Sequence, residues 1–281
     1  MTYTPREYWS AVAEEVERRP GQSLTAGDDS PFIKYKHEAF VERMLKRVPF
    51  EGKAVLEVGC GPGGNLVEVM GADPRRLVGC DVSPKMIELA GKNTAGRVEC
   101  VELADGALPF ETEEFDISFT STVLQHNRDE TVRGLIAEMS RVTAETIYLF
   151  EDTTSRSRDL GRFVGWITGG TVTTKSYFLR PVSYYAQLFA THGFDLVDVG
   201  PLNVYASDVM RVAVWFLDAR VTRSRGRREG ERLSLFQERA EHLLLPLTKA
   251  VDPKIKQRQG LTAMTFHARP HKGRTAAAPP R

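Results

Sequence analysis

Cysteine is scarce in this chain: three in 281 residues, Cys60, Cys80 and Cys100. Their spacing is not that of a metal site, and an odd number without a secretion signal reads as reduced thiols, small apolar residues near strand ends. Excess charge is missing too. Lys and Arg number 38 against 37 Asp and Glu, so the formal net charge of +1 predicts neither a polyanionic nor an acidic partner. No run approaches ~18 uninterrupted apolar residues, so no membrane-spanning helix is predicted. The greasiest late segment, "AEHLLLPLTKAV", is too short and too interrupted. "MTYTPREYWSAVAEEVERRP" has no apolar core of the signal-peptide kind, and a cytoplasmic location is expected. No internal repeat is apparent.

What is present is an ordinary globular composition with a change of pattern near residue 53. Before it, Trp9, Val12, Ala13 and Val16 recur at helical spacing, and a second helix is predicted through "FIKYKHEAFVERMLKRV". After it, short β runs alternate with helices. The runs are "KAVLEV", "RLVGCD", "RVECVEL", "FDISFTST", "TIYLF" and "DLVDVG". "LTAMTFHA" is expected as the final strand, with "VMRVAVWFL" as the alternative. Ser83 and Pro84 are expected to cap and start one helix. Such alternation predicts an α/β fold, a parallel sheet covered by helices on both faces, with strand carboxyl ends along one edge. The expected organisation is an N-terminal helical lid segment at 1–50, a main domain at 51–270 with insertions near 153–180 and 203–258, and a disordered tail at 271–281.

The glycine run "VLEVGCGPGGN" follows the first strand. Gly59, Gly61 and Gly64 satisfy G-x-G-x-x-G, and Asp81 ends the next strand at the distance a nucleotide fold requires. Glycine lets the backbone turn tightly and a ligand approach without meeting a Cβ. An acid at the end of the second strand accepts hydrogen bonds from ribose hydroxyls. On this pattern NAD and S-adenosylmethionine both remain open. Three features favour the second. Glu57, two residues before Gly59, would repel a pyrophosphate but suits a cationic ligand. Asp105, in "ELADGALPF", can accept from an adenine amino group flanked by Leu108 and Phe110. Pro62 and Gly63 do not provide the usual helix start beneath a phosphate.

"VLEVGCGPGGN", "GCDVSPKMIELA", "ELADGALPF" and "FDISFTSTVLQHN" together resemble the successive motifs of class I S-adenosylmethionine-dependent methyltransferases, over roughly residues 50 to 150. The resemblance implies a Rossmann-like, mostly parallel seven-stranded sheet whose last strand is antiparallel. It implies that Glu57, Gly59, Cys60 and Gly61 bind or shape the methionyl end and that Asp81 holds the ribose. Val82 and Met86 would lie near the base, Asp105 and Gly106 would contact the adenine, and Thr120 and Gln125 would line the floor after strand four.

Methyl transfer needs nucleophile, methyl and sulfur in line, and a base only where the nucleophile keeps its proton in water. The catalytic candidates are His126, in "LQHN", and Glu151 and Asp152, expected directly after strand five. The bland reading of each is a cap or a turn. No third ligand accompanies the two acids, so no metal is expected. Tyr177, Tyr184 and Tyr185 are candidate pocket residues. The Asn/Asp-Pro-Pro-aromatic run of amide and adenine N-methyltransferases is absent, and no cysteine sits in a cytosine-methylating motif. Arginines at 220, 223, 225, 227 and 228 lack interleaved aromatics, so a solvated face is expected rather than RNA binding. The expected substrate is a small molecule methylated on oxygen, nitrogen or carbon, a secondary metabolite or a quinone- or lipid-like precursor, under a lid formed by the two insertions. Oligomeric state stays open. The competing readings are an NAD-dependent oxidoreductase, a non-catalytic S-adenosylmethionine-binding protein and an RNA methyltransferase.

Overall fold

The computed structural model describes residues 4–19, 24–27, 30–103, 107–153, 178–202, 204–222, 234–255 and 261–270. Asp105, Gly106, Trp166, Tyr177 and the arginines from 223 to 228 lie outside these residues, as does the segment expected to be a tail.

Two helices open the chain, α1 (Pro5–Glu17) and α2 (Pro31–Arg47). The alternating part then runs β1 (Ala54–Val58), α3 (Gly64–Met70), β2 (Arg76–Asp81), α4 (Pro84–Asn93), β3 (Glu99–Glu102), β4 (Phe115–Ser121), α5 (Asp129–Val142) and β5 (Thr143–Asp152). It continues with α6 (Val182–Thr191), β6 (Phe194–Pro201), α7 (Tyr205–Thr222), α8 (Leu235–Val251) and β7 (Leu261–Ala268). The strands form one seven-stranded sheet in the order β3-β2-β1-β4-β5-β7-β6. The first five pair in parallel, and β7 runs antiparallel to both β5 and β6. The strand order reverses between β1 and β4, the place where open α/β sheets bind ligands.

Side chains alternate across the sheet. In β5, Ile147 and Leu149 join the core beneath α5 and α6, with Leu135, Ile136, Met139 and Phe189. Tyr148 and Phe150 point the other way, to Phe40 and Met44 of α2 and Leu66 of α3. A third cluster joins Val12, Ala13 and Val16 of α1 to Met86 and Leu89 of α4. The helical face read from Val12, Ala13 and Val16 therefore packs α1 over the start of α4.

Some boundaries differ from expectation for local reasons. β4 stops at Ser121 because Thr122 has φ +58°, which no extended strand accommodates. β5 starts at Thr143, directly after α5, so it is longer than "TIYLF". Glu151 and Asp152, expected after this strand, are its last two residues. "VMRVAVWFL" belongs to helix α7, and "LTAMTFHA" forms β7. Ser83 caps α4 by accepting from the Met86 amide at 3.2 Å, with Pro84 in the first turn.

Candidate active site

The glycine turn after β1 reverses the chain at the carboxyl edge of the sheet. Gly59 has φ +76°, and a Cβ there would run into the side chain of Val123, which follows β4. A Cβ at Gly64 would strike the carbonyl of Leu24 in the loop between α1 and α2. The glycines thus let two segments close on the turn as well as leaving its own backbone bare.

Asp81, at the end of β2, is buried. Its Oδ2 accepts from the Gly61 amide at 3.0 Å and its Oδ1 from the Ser83 amide at 2.9 Å. A carboxylate has about four acceptor sites, so capacity remains for a ligand hydroxyl. Desolvation raises its pKa above the ordinary value, against the pull of the backbone amides.

Glu57 lies under the turn and is 1% exposed. Its Oε1 accepts from Asn65 Nδ2 at 2.7 Å, and Asn65 Oδ1 lies 3.0 Å from His37 Nε2. Its Oε2 is buried without a hydrogen-bond partner among the described residues. Burial pushes its carboxyl up to about 8, with the Asn65 bond opposing and the charge of Asp81 adding. Cys60 is buried beside them, and desolvation holds its thiol well above the usual range.

A cavity of about 320 Å³ opens at this edge, at the lower end of the usual size range for ligand pockets. Val58, Gly59, Gly61, Asp81, Val82 and Met86 form one wall. Leu103, Leu135 and Thr131 close an apolar end, and Val123, His126 and Asn127 form the wall after β4. The roof is α1, through Arg6 and Trp9. Trp9 meets the His126 ring edge-on, centroids 5.1 Å apart at 88°. Arg6 pairs with Glu102 at the end of β3, and Ser10 Oγ lies 3.0 Å from Ser83 Oγ.

The structure therefore brings Gly59, Gly61, Asp81, Val82, Met86 and His126 to one cavity. Asp105 and Gly106 lie outside the described residues, and the other residues expected at the site do not line this cavity. Glu57 and Cys60 lie beneath the turn. Thr120 is fully buried in β4, with no hydrogen-bond partner for its hydroxyl among the described residues. Gln125 is buried; its Oε1 accepts from the Asp152 amide at 2.7 Å. Glu151 is fully buried and accepts from the amides of Val123, Leu124 and Gln125 at 3.0, 2.9 and 3.0 Å. Desolvation pushes it up to about 7 against those three bonds. Its carboxylate faces the backbone of the His126 turn and does not line the cavity, so it is not placed to exchange a proton there. Tyr185 is fully buried and Tyr184 packs against it at 5.6 Å, so neither lines the cavity.

Sequence reasoning did not single out Arg6, Trp9, Val123, Asn127, Thr131 or Leu135. Trp9 carried a signal, since it belongs to the apolar stripe of α1. A lid was expected from the N-terminal segment and from the two insertions; α1 of the former lines the cavity, residues 154–177 of the first insertion lie outside the described residues, and among the described residues α7 and α8 of the second contribute none of the lining. Those helices pack on each other and on α2. Among the described residues no helix is long and apolar enough to cross a membrane, and no group of three or more His, Cys, Asp or Glu could hold a metal ion.

Residues 55–146 match the family model described as a methyltransferase domain. Over 155 residues the chain is 38% identical to an uncharacterized 37.1 kDa protein in transposon Tn4556 of Streptomyces fradiae, covering 50% of this chain and 44% of that one. It is 36% identical over 95 residues to a ubiquinone biosynthesis O-methyltransferase of Sinorhizobium medicae, covering 33% of this chain and 38% of that one. It is 34% identical over 87 residues to a tRNA U34 carboxymethyltransferase of a Shewanella species, covering 28% and 26%. The chain thus spans less than half the length of these curated relatives. Among solved structures, magnesium protoporphyrin IX methyltransferase from Synechocystis, with bound S-adenosylhomocysteine, superposes with a TM-score of 0.57 at 15% identity, over 69% of this chain and 90% of that one.

Proposed function

We propose, from a chain that carries a methyltransferase domain on the class I S-adenosylmethionine-dependent fold, that this protein transfers a methyl group from S-adenosylmethionine to an oxygen, nitrogen or carbon of a small molecule. The observation that carries the reading is a single cavity with the bare glycine turn and Asp81 on one wall and His126 on the other, under the roof of α1.

The site fits the cofactor on its own chemistry. Gly59 and Gly61 take positive φ, +76° and +51°, and present bare backbone to the cavity, and Asp81 keeps acceptor capacity for ribose hydroxyls. Glu57 Oε2 is buried beneath the turn with no hydrogen-bond partner among the described residues, and from there its carboxyl would act on a cationic methionyl end through the turn. Val82, Met86, Leu103 and Leu135 give an apolar slot for a purine. When bound, S-adenosylmethionine supplies an electrophilic methyl group on a sulfonium.

The chain's own residues then have three tasks. The turn and Asp81 orient the donor, and orientation accounts for much of the acceleration of such displacements. Trp9 and the α1 roof exclude water, which favours a reaction that disperses charge. His126 is the one of the three catalytic candidates that lines the cavity, so orienting the acceptor or handling its proton falls to it. Asp105 and Gly106 remain proposed adenine contacts. The ubiquinone-pathway relative supports a quinone-like or secondary-metabolite acceptor.

A second reading, transfer to RNA, draws on the tRNA-modifying relatives. One experiment separates the two. The purified protein is incubated with S-adenosylmethionine labelled in its methyl group, once with a metabolite extract of the host and once with its total RNA. Label in a small molecule supports the first reading. Label in RNA would replace it, and failure to bind S-adenosylhomocysteine by calorimetry would end both.

A further inference from the structure

Residues 122–127 cross from β4 to α5 in an unusual way. Thr122 is β-branched yet has φ +58°, a conformation that such residues adopt only when the surroundings impose it. Its amide donates to the Phe150 carbonyl at 2.7 Å. Val123 then packs where Gly59 leaves room. The next three residues form a single 3-10 turn, Leu124–His126.

Two buried charges embrace this turn from opposite sides. Glu151, fully buried, receives the amides of Val123, Leu124 and Gln125. Arg180 is 4% exposed. Its Nη1 donates to the Leu124 carbonyl at 3.0 Å and its Nη2 to the Asn127 carbonyl at 2.7 Å. Its Nε reaches Asp129 at 2.8 Å, the first residue of α5. The carboxyl thus faces N–H groups and the guanidinium faces carbonyls of the same few peptides. Burying charge is costly and rarely the best route to stability alone. Here both charges are directed at the backbone that carries His126.

We propose that Glu151 and Arg180 act together as positioning residues, a two-sided clamp that fixes the orientation and tautomer of His126 at the cavity. The inference rests on reading the cavity as the S-adenosylmethionine site. The link to the ring runs through Gln125. Its amide N–H is held by Glu151, and its side-chain Oε1 accepts from the Asp152 amide. That leaves its Nε2 facing His126 Nε2 at 3.4 Å. An amide NH₂ only donates, so a hydrogen bond across this contact makes His126 Nε2 the acceptor and assigns the ring proton to Nδ1, which is itself buried. A ring held in one tautomer orients an acceptor; a ring free to turn does not.

The test uses the full chain labelled with ¹⁵N-histidine, with the His126 signals assigned from H126N. Two readouts are compared for the wild type, E151Q, R180K and the control S118A: the ring ¹⁵N shifts and the affinity for S-adenosylhomocysteine. S118A removes the buried Ser118–Thr143 hydroxyl contact at 2.7 Å, remote from the turn. The expected wild-type pattern is an unprotonated Nε2. E151Q and R180K should average the two tautomers and weaken S-adenosylhomocysteine about 5- to 20-fold. S118A should lower the melting temperature and leave both readouts at wild type. R180K keeps the cation and loses the fork, so it carries the test if E151Q does not fold. The clamp is overturned if the variants melt lower, as S118A does, while the His126 shifts and ligand affinity stay at wild type. If the wild type does not bind S-adenosylhomocysteine, the proposed function fails, and the ring shifts of the free protein still decide the clamp.

Discussion

Replacing Glu57 with glutamine should stabilise the free protein at neutral pH, although it removes a residue of the cofactor motif. The folded carboxyl holds its proton up to about 8, whereas the ordinary value is 4.5. Between those values the unfolded chain releases a proton that the folded chain keeps. The unfolded state therefore gains as pH rises, and the wild-type protein loses stability from about pH 5 to pH 8. Each pH unit in that window is worth about 1.4 kcal/mol. The cost is under about 1 kcal/mol at pH 5 and about 3 kcal/mol at pH 7 by the same relation.

Glutamine has nearly the same shape and keeps an oxygen for Asn65 Nδ2, which now donates to Glu57 at 2.7 Å. It carries no charge to desolvate. The E57Q curve should lack this slope, and the two proteins should diverge by about 5 °C in melting temperature at pH 7. Glu151, pushed up to about 7, slopes the same way in both proteins and cancels in the comparison. The assay is thermal unfolding of ligand-free wild type and E57Q at half-unit steps from pH 5 to 8. Parallel curves would refute the reasoning, because they would show that Glu57 is already ionised in the folded chain.

Other outcomes follow from the same geometry. Asp81→Ala should weaken S-adenosylmethionine and S-adenosylhomocysteine alike by about 1–3 kcal/mol, the usual worth of charge-assisted hydrogen bonds; calorimetry showing less than a twofold change would place the ribose elsewhere. Trp9→Ala removes the roof contact to His126 and should speed S-adenosylhomocysteine release, read by stopped-flow fluorescence of a displaced analogue, and an unchanged off-rate would mean that α1 does not gate the cavity. Gly59→Ala combines a positive φ with a collision against Val123, and should cost about 1–3 kcal/mol in urea unfolding along with ligand binding. A wild-type midpoint would show that Val123 yields freely.

The alternating core was legible because its signals are local. β2 and β7 match their expected limits, since each apolar run is bounded by polar or turn residues. β5 was read short because Val142 and Thr143 change from helix to strand with no glycine or proline between them. The apolar run in α7 has no clear period, so sequence could not separate a strand from a buried helix there. At the site, the glycine turn and Asp81 were legible because backbone geometry dictates the residue type. Glu151 stays open in the sequence between a catalytic group and a turn cap, because an acid beside a strand end can serve as either. Only the fold shows that three amides from residues 123–125 converge on it. Arg180 gave no signal at all, since its partners in the His126 turn lie more than fifty positions upstream.

The placement of β7 has a consequence for how the chain is made. β6 hydrogen-bonds to β7 and to no other strand of the sheet, and β7 alone joins it to β5. A ribosome releases residues 194–201 well before 261–268, so β6 waits without a strand to pair with while its Val197 and Val199, exposed even in the finished fold, face the solvent. Any transcript cut short ahead of Leu261 would leave two sticky edges, one on β5 and one on β6, and the nascent polypeptide becomes safe from its siblings only when its closing strand slides between them.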